Sequence, residues 1–221
     1  MISDIYDFLA DVAANNNRPW FYANRGRYDD LRARWYDDLE HLIACMSQWE
    51  PGMKTQTAST ASYRFSRDTR FSPDKSPYKV YFSAALSPFG RKTIMSGYYL
   101  QVDVRPDENG LYAGLYCPEQ PLLKKLRHAI VDNIEEFEEI VNEPRFAARY
   151  PGWVGQRLKS APQGWPKDHP QIELLRLKDY GRFAPCEHSY FTDPHWYERA
   201  AEDFLLAKPL IDFLNYSIAE E

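Results

Sequence analysis

The spacing of apolar residues changes twice along this 221-residue chain, and this change limits the folds open to it. Apolar residues recur at steps of three and four over 3–48, alternate over much of about 61–117, and return to helical spacing over 119–142. Helical spacing places side chains on one face of a helix, whereas alternation does so only in a strand. The pattern predicts an α+β fold with an antiparallel β-meander sheet packed against long amphipathic helices.

A single domain over residues 1–221 is the simplest organisation, since the chain shows no internal repeat, low-complexity tract or linker. Residues 151–170 are rich in Pro, Gly and Trp, and they predict an ordered loop. Beyond them, we expect C-terminal helices over 194–218, with Asp193 as the N-cap and Pro194 as the first helical residue.

Several local patterns give sharper expectations. The apolar stripe from Trp20 to Met46 predicts one helix, and the pair Asn109-Gly110 favours a tight hairpin. Residues 61–66 are a candidate strand with Tyr63 and Phe65 inward and Arg64 outward, and residues 174–180 are another candidate strand.

Cysteine and histidine usage argues against metal or redox chemistry. The three cysteines have no CxxC spacing, and the five histidines have none of the spacings of a local metal site. No apolar run approaches the roughly 18 residues of a membrane span, and the start MISDIYDFLADV does not resemble a signal peptide. We therefore expect a soluble, cytoplasmic protein with no membrane partner, no metal and no cofactor.

The net charge of −5 hides a strong asymmetry. The segment from Lys54 to Lys92 holds eight basic and two acidic residues, a charge of +6, so the rest of the chain carries −11. A basic segment inside an acidic protein indicates a focused site rather than a general affinity for polyanions.

The densest basic stretch runs from Tyr63 to Lys79 and contains five cations, two carboxylates, and interleaved hydroxyls and aromatic rings. Its arginines recur every third residue and converge only if the chain turns around Asp68-Thr69. Because guanidinium groups bind phosphate and carboxylate oxygens in pairs, this stretch predicts a loop that binds an anionic small molecule or, alternatively, nucleic acid. The predicted ligand-binding residues are Arg64, Arg67, Asp68, Arg70, Lys75, Tyr78, Lys79, Trp20, Asn24 and Arg25.

Two alternatives stay open. In one, the protein is an enzyme of unassigned class that uses Asp68 or Asp74 as acid or base beside the arginines, with His169 as a weaker candidate. In the other, it is a structural or protein-interaction domain whose arginines pair internally, for example with the carboxylates of residues 132–143.

The chain also resembles a known family. The stretches NNRPWFYANR, YRFSRDTRFSPDKSPYK, GYYLQV, GLYAGLYCPE and PQGWPKDHP…LLRLKDY are similar to domain-of-unknown-function family 2461, over about residues 5–215. The family has no established activity to carry over, and Tyr63 stands where Phe is common. The resemblance implies that these residues lie in the family's hallmark segments: Arg64, Arg67, Asp68, Arg70, Asp74, Lys75, Tyr78, Lys79, Trp20, Asn24 and Arg25.

Overall fold

The computed structural model describes residues 3–220 and has an α+β fold, as predicted. Within this range, none of the helices combines the length and the apolar character that crossing a bilayer requires. Short 3-10 turns cover Pro51–Thr55 and Pro106–Glu108. The helices are α1 (Ser3–Ala14), α2 (Arg18–Ala23), α3 (Arg25–Met46), α4 (Ala58–Ala61), α5 (Gln120–Asp132), α6 (Ile134–Asn142), α7 (Pro144–Arg149), α8 (Ile172–Leu175), α9 (His188–Thr192) and α10 (Trp196–Ala219).

The strands form one antiparallel sheet in the order β1-β2-β3-β4. They are β1 (Tyr81–Leu86), β2 (Gly97–Asp103), β3 (Gly110–Leu115) and β4 (Tyr180–Pro185). The alternating apolar residues within the strands are buried, whereas Val80 and Val104, just outside the strands, are half-buried. The buried members are Phe82, Ala84, Leu86, Leu100, Val102, Leu111, Ala113 and Leu115.

Contacts group the chain into two compact units, and the single-domain organisation stays a prediction. The first unit comprises residues up to Arg91, Tyr99–Leu111 and Pro185–Glu202. Its core holds a cluster of aromatic rings whose neighbouring centroids lie 5.1–6.2 Å apart. The rings belong to Phe8, Phe21, Tyr28, Phe65 and Phe82.

The second unit comprises Lys92–Tyr98, Tyr112–Ala184 and the residues from Asp203 on. The Phe137 and Trp153 rings stack at 5.7 Å, and the buried Arg182 guanidinium lies 4.6 Å from the Trp153 centroid. Burial lowers the pKa of Arg182, because a charged group loses hydration there. Residues 151–170 form no helix or strand, as predicted, and contribute only isolated bridges at Trp153 and Arg157.

The prediction of one helix from Trp20 to Met46 is wrong. Asn17 caps α2 by accepting a hydrogen bond from the Trp20 amide at 3.0 Å, and α2 then ends at Asn24. The Asn24 backbone leaves helical geometry at φ −108° and ψ 16°, and its side-chain amide donates to the Trp20 carbonyl at 2.9 Å. Asn133 separates α5 from α6 in the same way, at φ −122° and ψ 40°, so the single helix over 119–142 is also two helices.

The strand predicted over 61–66 is replaced by α4 and two isolated bridges, Ser62 to Ala84 and Ser66 to Tyr78. Phe65 is buried, but Tyr63 points outward with 38% of its surface exposed. The expected alternation of inward and outward side chains is absent because residues 61–66 form only single bridges and not a continuous strand.

Three further expectations differ from the structure. The segment 174–180 contains the end of α8 and only the first residue of β4. Asn109 does not lie in a two-residue turn: it is fully buried, after a 3-10 turn that lengthens the connection between β2 and β3. The last helix begins at Trp196 rather than Pro194 and continues through Pro209 to Ala219, although Asp193 does accept a hydrogen bond from the His195 amide.

Candidate functional site

The first unit contains a cleft of about 770 Å³ whose lining is dominated by arginine and tyrosine. Six arginines and five tyrosines border it, and no carboxylate is among the lining residues. The lining residues are Arg18, Phe21, Tyr22, Arg25, Tyr28, Arg32, Tyr36, Ser59, Ser62, Tyr63, Arg64, Phe65, Ser66, Arg67, Thr69, Pro77, Tyr78, Phe82 and Arg91.

Four of the six arginines, Arg18, Arg32, Arg64 and Arg91, have no ion-pair partner in the described chain. No Asp or Glu of residues 3–220 lies within ion-pairing distance of their guanidinium groups. The Arg32 guanidinium lies 5.8 Å and 5.7 Å from the ring centroids of Tyr28 and Tyr36. Contact with a ring leaves the donor edge of a guanidinium available to an anion.

Arg25, Arg67 and Arg91 are held by contacts with the protein. Arg25 pairs with Asp29 one helical turn away at 2.9 Å, and Arg67 pairs with Asp74. Arg91 donates to the Ser62 carbonyl, and its guanidinium carbon lies 4.9 Å from the centroid of the Tyr63 ring.

The loop between Phe65 and Lys79 is closed by its own hydrogen bonds. The Arg67 amide donates to the Pro77 carbonyl and the Lys79 amide to the Phe65 carbonyl, both at 2.9 Å. The ammonium of Lys75 donates to the Thr69 carbonyl at 2.9 Å. This loop therefore has a defined conformation, and residues from both of its ends line the cleft.

Lys79 lies beside the cleft in an unfavourable electrostatic environment. Its ammonium lies 5.1 Å from the Tyr63 centroid and 5.3 Å from the Tyr81 centroid. Burial, followed by repulsion from Arg64 and Arg91, lowers the pKa of Lys79. The positive charges of Lys79, Arg64 and Arg91 are therefore close enough to destabilise one another.

Three of the five lining tyrosines hold their phenolic protons more tightly than usual. Burial raises the pKa of Tyr28, Tyr63 and Tyr78 above the usual value, because the phenolate would lose hydration. Tyr22 is 67% exposed. The cleft thus combines cations, neutral phenolic donors and aromatic faces.

The structure brings together four of the predicted binding residues, Arg25, Arg64, Arg67 and Tyr78, in the lining of the cleft. The predicted turn around Asp68-Thr69 does not bring Arg70 to the cleft. Arg70 instead forms a two-point ion pair with Asp68 at 2.7 and 3.0 Å, and its side chain is 76% exposed. The other predicted binding residues lie outside the lining, and they are Trp20, Asn24, Asp68, Lys75 and Lys79.

Trp20 and Asn24 have local structural roles. The Trp20 ring packs at 6.2 Å from the Phe8 ring, and Asn24 ends α2. His169 lies in the second unit, where its Nδ1 accepts a hydrogen bond from the Gln171 amide at 3.1 Å and its ring meets the Trp165 ring edge-on.

The carboxylates proposed for acid–base catalysis are occupied. Asp68 accepts bonds from the Arg70 side chain and amide, which lower its pKa. Hydrogen bonds from Ser76 and Arg67 lower the pKa of Asp74 to about 2. A carboxylate with a lowered pKa has no proton to donate at neutral pH and is a weak base, so these two groups give little support to the enzyme hypothesis. Within residues 3–220, no cluster of His, Cys, Asp and Glu side chains could hold a metal ion.

A comparison with family models gives a match over residues 4–213 to DUF2461, described as a conserved hypothetical protein family. The chain belongs to the DUF2461 family. Neither a search of curated proteins nor a search of solved structures finds a match. The DUF2461 match thus confirms the resemblance seen in the sequence, and the function has to be argued from the cleft.

Sequence reasoning missed part of the cleft of this DUF2461 chain. Helix α3 carries Arg25, Tyr28, Arg32 and Tyr36 at steps of three and four, so they share one face. That repeat of alternating arginine and tyrosine is a signal for a cation-lined helix face, and it was available from the sequence. Arg18 and Tyr22, four residues apart on α2, continue this spacing toward Arg25, whereas Arg91 has no such pattern and only the fold brings it to the cleft.

Proposed function

We propose that this protein binds an anionic ligand, with phosphate or carboxylate groups, in the arginine-lined cleft. The observation that carries the proposal is the lining itself: six arginines without a carboxylate among them, four of which have no ion-pair partner in the described chain. Unneutralised cations that face the same cleft repel one another, and a bound anion relieves that repulsion.

The structural alternative accounts for only part of this arrangement. Arg67 and Arg70 pair with Asp74 and Asp68 inside the loop, where they support its conformation. Such pairing does not involve Arg32 or Arg64, which are exposed and have no carboxylate partner. Exposed cations without partners add little to stability, so their concentration at one cleft supports a binding role.

Isothermal titration calorimetry with inorganic phosphate, pyrophosphate and citrate tests the proposal. We expect at least one probe to bind, and Arg64→Ala and Arg32→Ala each to weaken it about tenfold, because charge-assisted hydrogen bonds are worth about 1.5–3 kcal/mol. Binding should also weaken from 50 mM to 500 mM NaCl, because salt screens the exposed arginines.

Arg34→Ala is the matched control. Arg34 lies on α3, as Arg32 does. It pairs with Asp4 in an exposed position and is not part of the cleft lining. Its variant should bind like the unsubstituted protein, and all three variants should unfold within about 0.5 kcal/mol of it. Absence of binding by every probe refutes the proposal, and a large loss of stability in Arg64→Ala would favour the structural alternative.

A further inference from the structure

The cleft residues fall into two groups with different chemistry. The first consists of Tyr78, Tyr22, Arg18 and Arg25, which all line the cleft, and the Arg25 guanidinium lies 5.9 Å from the centroid of the Phe21 ring on which Tyr78 stacks. In the second, the Tyr63 ring has the Arg91 guanidinium at 4.9 Å and the Lys79 ammonium at 5.1 Å from its centroid, with Arg64 acting on the same lysine. The first group offers aromatic faces, and the second concentrates positive charge.

The aromatic group has a rigid element. The Tyr78 ring stacks on the buried Phe21 ring at 3.9 Å with an interplanar angle of 20°. Asn16 fixes the backbone of Tyr78 from both sides, donating to its carbonyl at 2.9 Å and accepting from its amide at 3.1 Å. An aromatic ring held in this way is a stacking platform that pays little conformational entropy when a second ring binds. Tyr22, largely exposed beside it, adds another aromatic surface.

The positive charge of the cleft indicates how many phosphate groups a matching ligand carries. Asp29 and Asp74 neutralise two of the six lining arginines, which leaves Arg18, Arg32, Arg64 and Arg91 without a carboxylate. A nucleoside di- or triphosphate carries roughly three to four negative charges at pH 7, since a terminal phosphate contributes about 1.5–2 and each internal one about one. This matches the cations that remain.

We propose that the anionic ligand is a nucleoside di- or triphosphate, whose base stacks on Tyr78 beside Tyr22 and whose phosphates bind toward Arg64 and Arg91. This inference rests on the proposed function and adds the class of ligand. The cleft volume of about 770 Å³ lies within the range of small-molecule sites, about 300–1,000 Å³. The acidic remainder of the chain disfavours a long polyanion that extends beyond the cleft.

The test compares ligands of similar charge with and without a base. ATP, GTP, CTP, UTP and the corresponding diphosphates are titrated against inorganic tripolyphosphate and a ten-residue oligothymidylate, at the same salt and without added metal. We expect at least one nucleotide to bind about tenfold more tightly than tripolyphosphate, through stacking of the base.

Two variants test whether stacking of the base on Tyr78 and Tyr22 causes the tighter binding of nucleotides. Tyr22→Ala, at a largely exposed position, and Tyr78→Ala should reduce nucleotide affinity toward that of tripolyphosphate and leave tripolyphosphate binding unchanged. Tyr78→Phe keeps the ring and should keep the preference, so it controls for misfolding of Tyr78→Ala.

The outcomes separate the two proposals. If tripolyphosphate binds as tightly as every nucleotide, the nucleotide inference is wrong and the anion-binding function stands. Tighter binding of the oligonucleotide than of any nucleotide also overturns the inference, because the ligand would then be nucleic acid. If neither tripolyphosphate nor nucleotide binds, the anion-binding function itself fails.

Discussion

Asn109 joins three segments of the first unit through buried hydrogen bonds, and Asn109→Ala tests how much these bonds contribute to stability. Its side-chain oxygen accepts from the Tyr6 hydroxyl at 3.0 Å and from the Asp103 amide at 2.9 Å. Its side-chain amide donates to the Cys186 carbonyl at 2.6 Å. All of these groups are buried, and Asn109 itself is fully buried.

Alanine at 109 leaves three buried polar groups without these partners. Each such group costs about 1–3 kcal/mol, and taking values near the low end gives a loss of about 3–5 kcal/mol. Typical domains unfold at 5–15 kcal/mol, so this is a large fraction of the total. With a urea m value of about 3 kcal/mol/M, the unfolding midpoint should fall by about 1–1.7 M.

Urea unfolding followed by far-ultraviolet circular dichroism measures this loss. Asn133→Ala is the matched control, because Asn133 is exposed and its side chain bonds only to the Ala129 carbonyl of the preceding turn; we expect a change within about 0.5 kcal/mol. Tyr6→Phe removes one of the three bonds and should cost about 1 kcal/mol. A loss below about 1 kcal/mol in Asn109→Ala would refute the reasoning.

Three further predictions concern other parts of the chain. Gly114→Ala should destabilise by at least about 3 kcal/mol in urea unfolding, because its φ is +142° and a Cβ would meet the Tyr180 carbonyl and Gly181; Gly90→Ala, with open space around it, should cost only about 1 kcal/mol. Trp35→Phe should cost about 2–3 kcal/mol by the same measurement, since it removes buried ring area and the bond from the indole to the Ser62 hydroxyl at 3.0 Å; an unchanged midpoint would contradict this. Asp74 has a folded pKa of about 2 against an ordinary 3.8, so its stabilisation is present above pH 4 and lost as pH falls through 2; Asp74→Asn should flatten the pH dependence of the urea midpoint between pH 4 and 2.

The fold class follows from the apolar spacing, but the helix ends do not. Spacing records which side chains are buried, and that pattern continues through Asn24 and Asn133, where the backbone leaves helical geometry. Both residues are polar, and such breaks depend on side-chain hydrogen bonds that compete with helical ones. Asn109 shows the same limit, because an Asn-Gly pair typical of a turn is used here as a buried connector.

The candidate site was predictable where charge is dense along the sequence. The segment containing Arg64 and Arg67 was found from its local charge, and both arginines line the cleft. Whether an arginine is free or paired was not predictable, because the partners follow from side-chain conformation: Asp74 lies seven residues from Arg67, and Asp68 lies two from Arg70. Arg91 reaches the cleft from a distant segment, and only the fold brings it there.

The closed loop between Phe65 and Lys79 also has a consequence for the kinetics of binding. The hydrogen bonds of Arg67, Lys75 and Lys79 join groups of the loop itself and need no ligand, so association should not have to wait for the loop to fold. We therefore expect single-exponential binding whose observed rate rises linearly with ligand concentration in stopped-flow measurements. A rate that reached a plateau at high concentration would reveal a slower rearrangement of the protein.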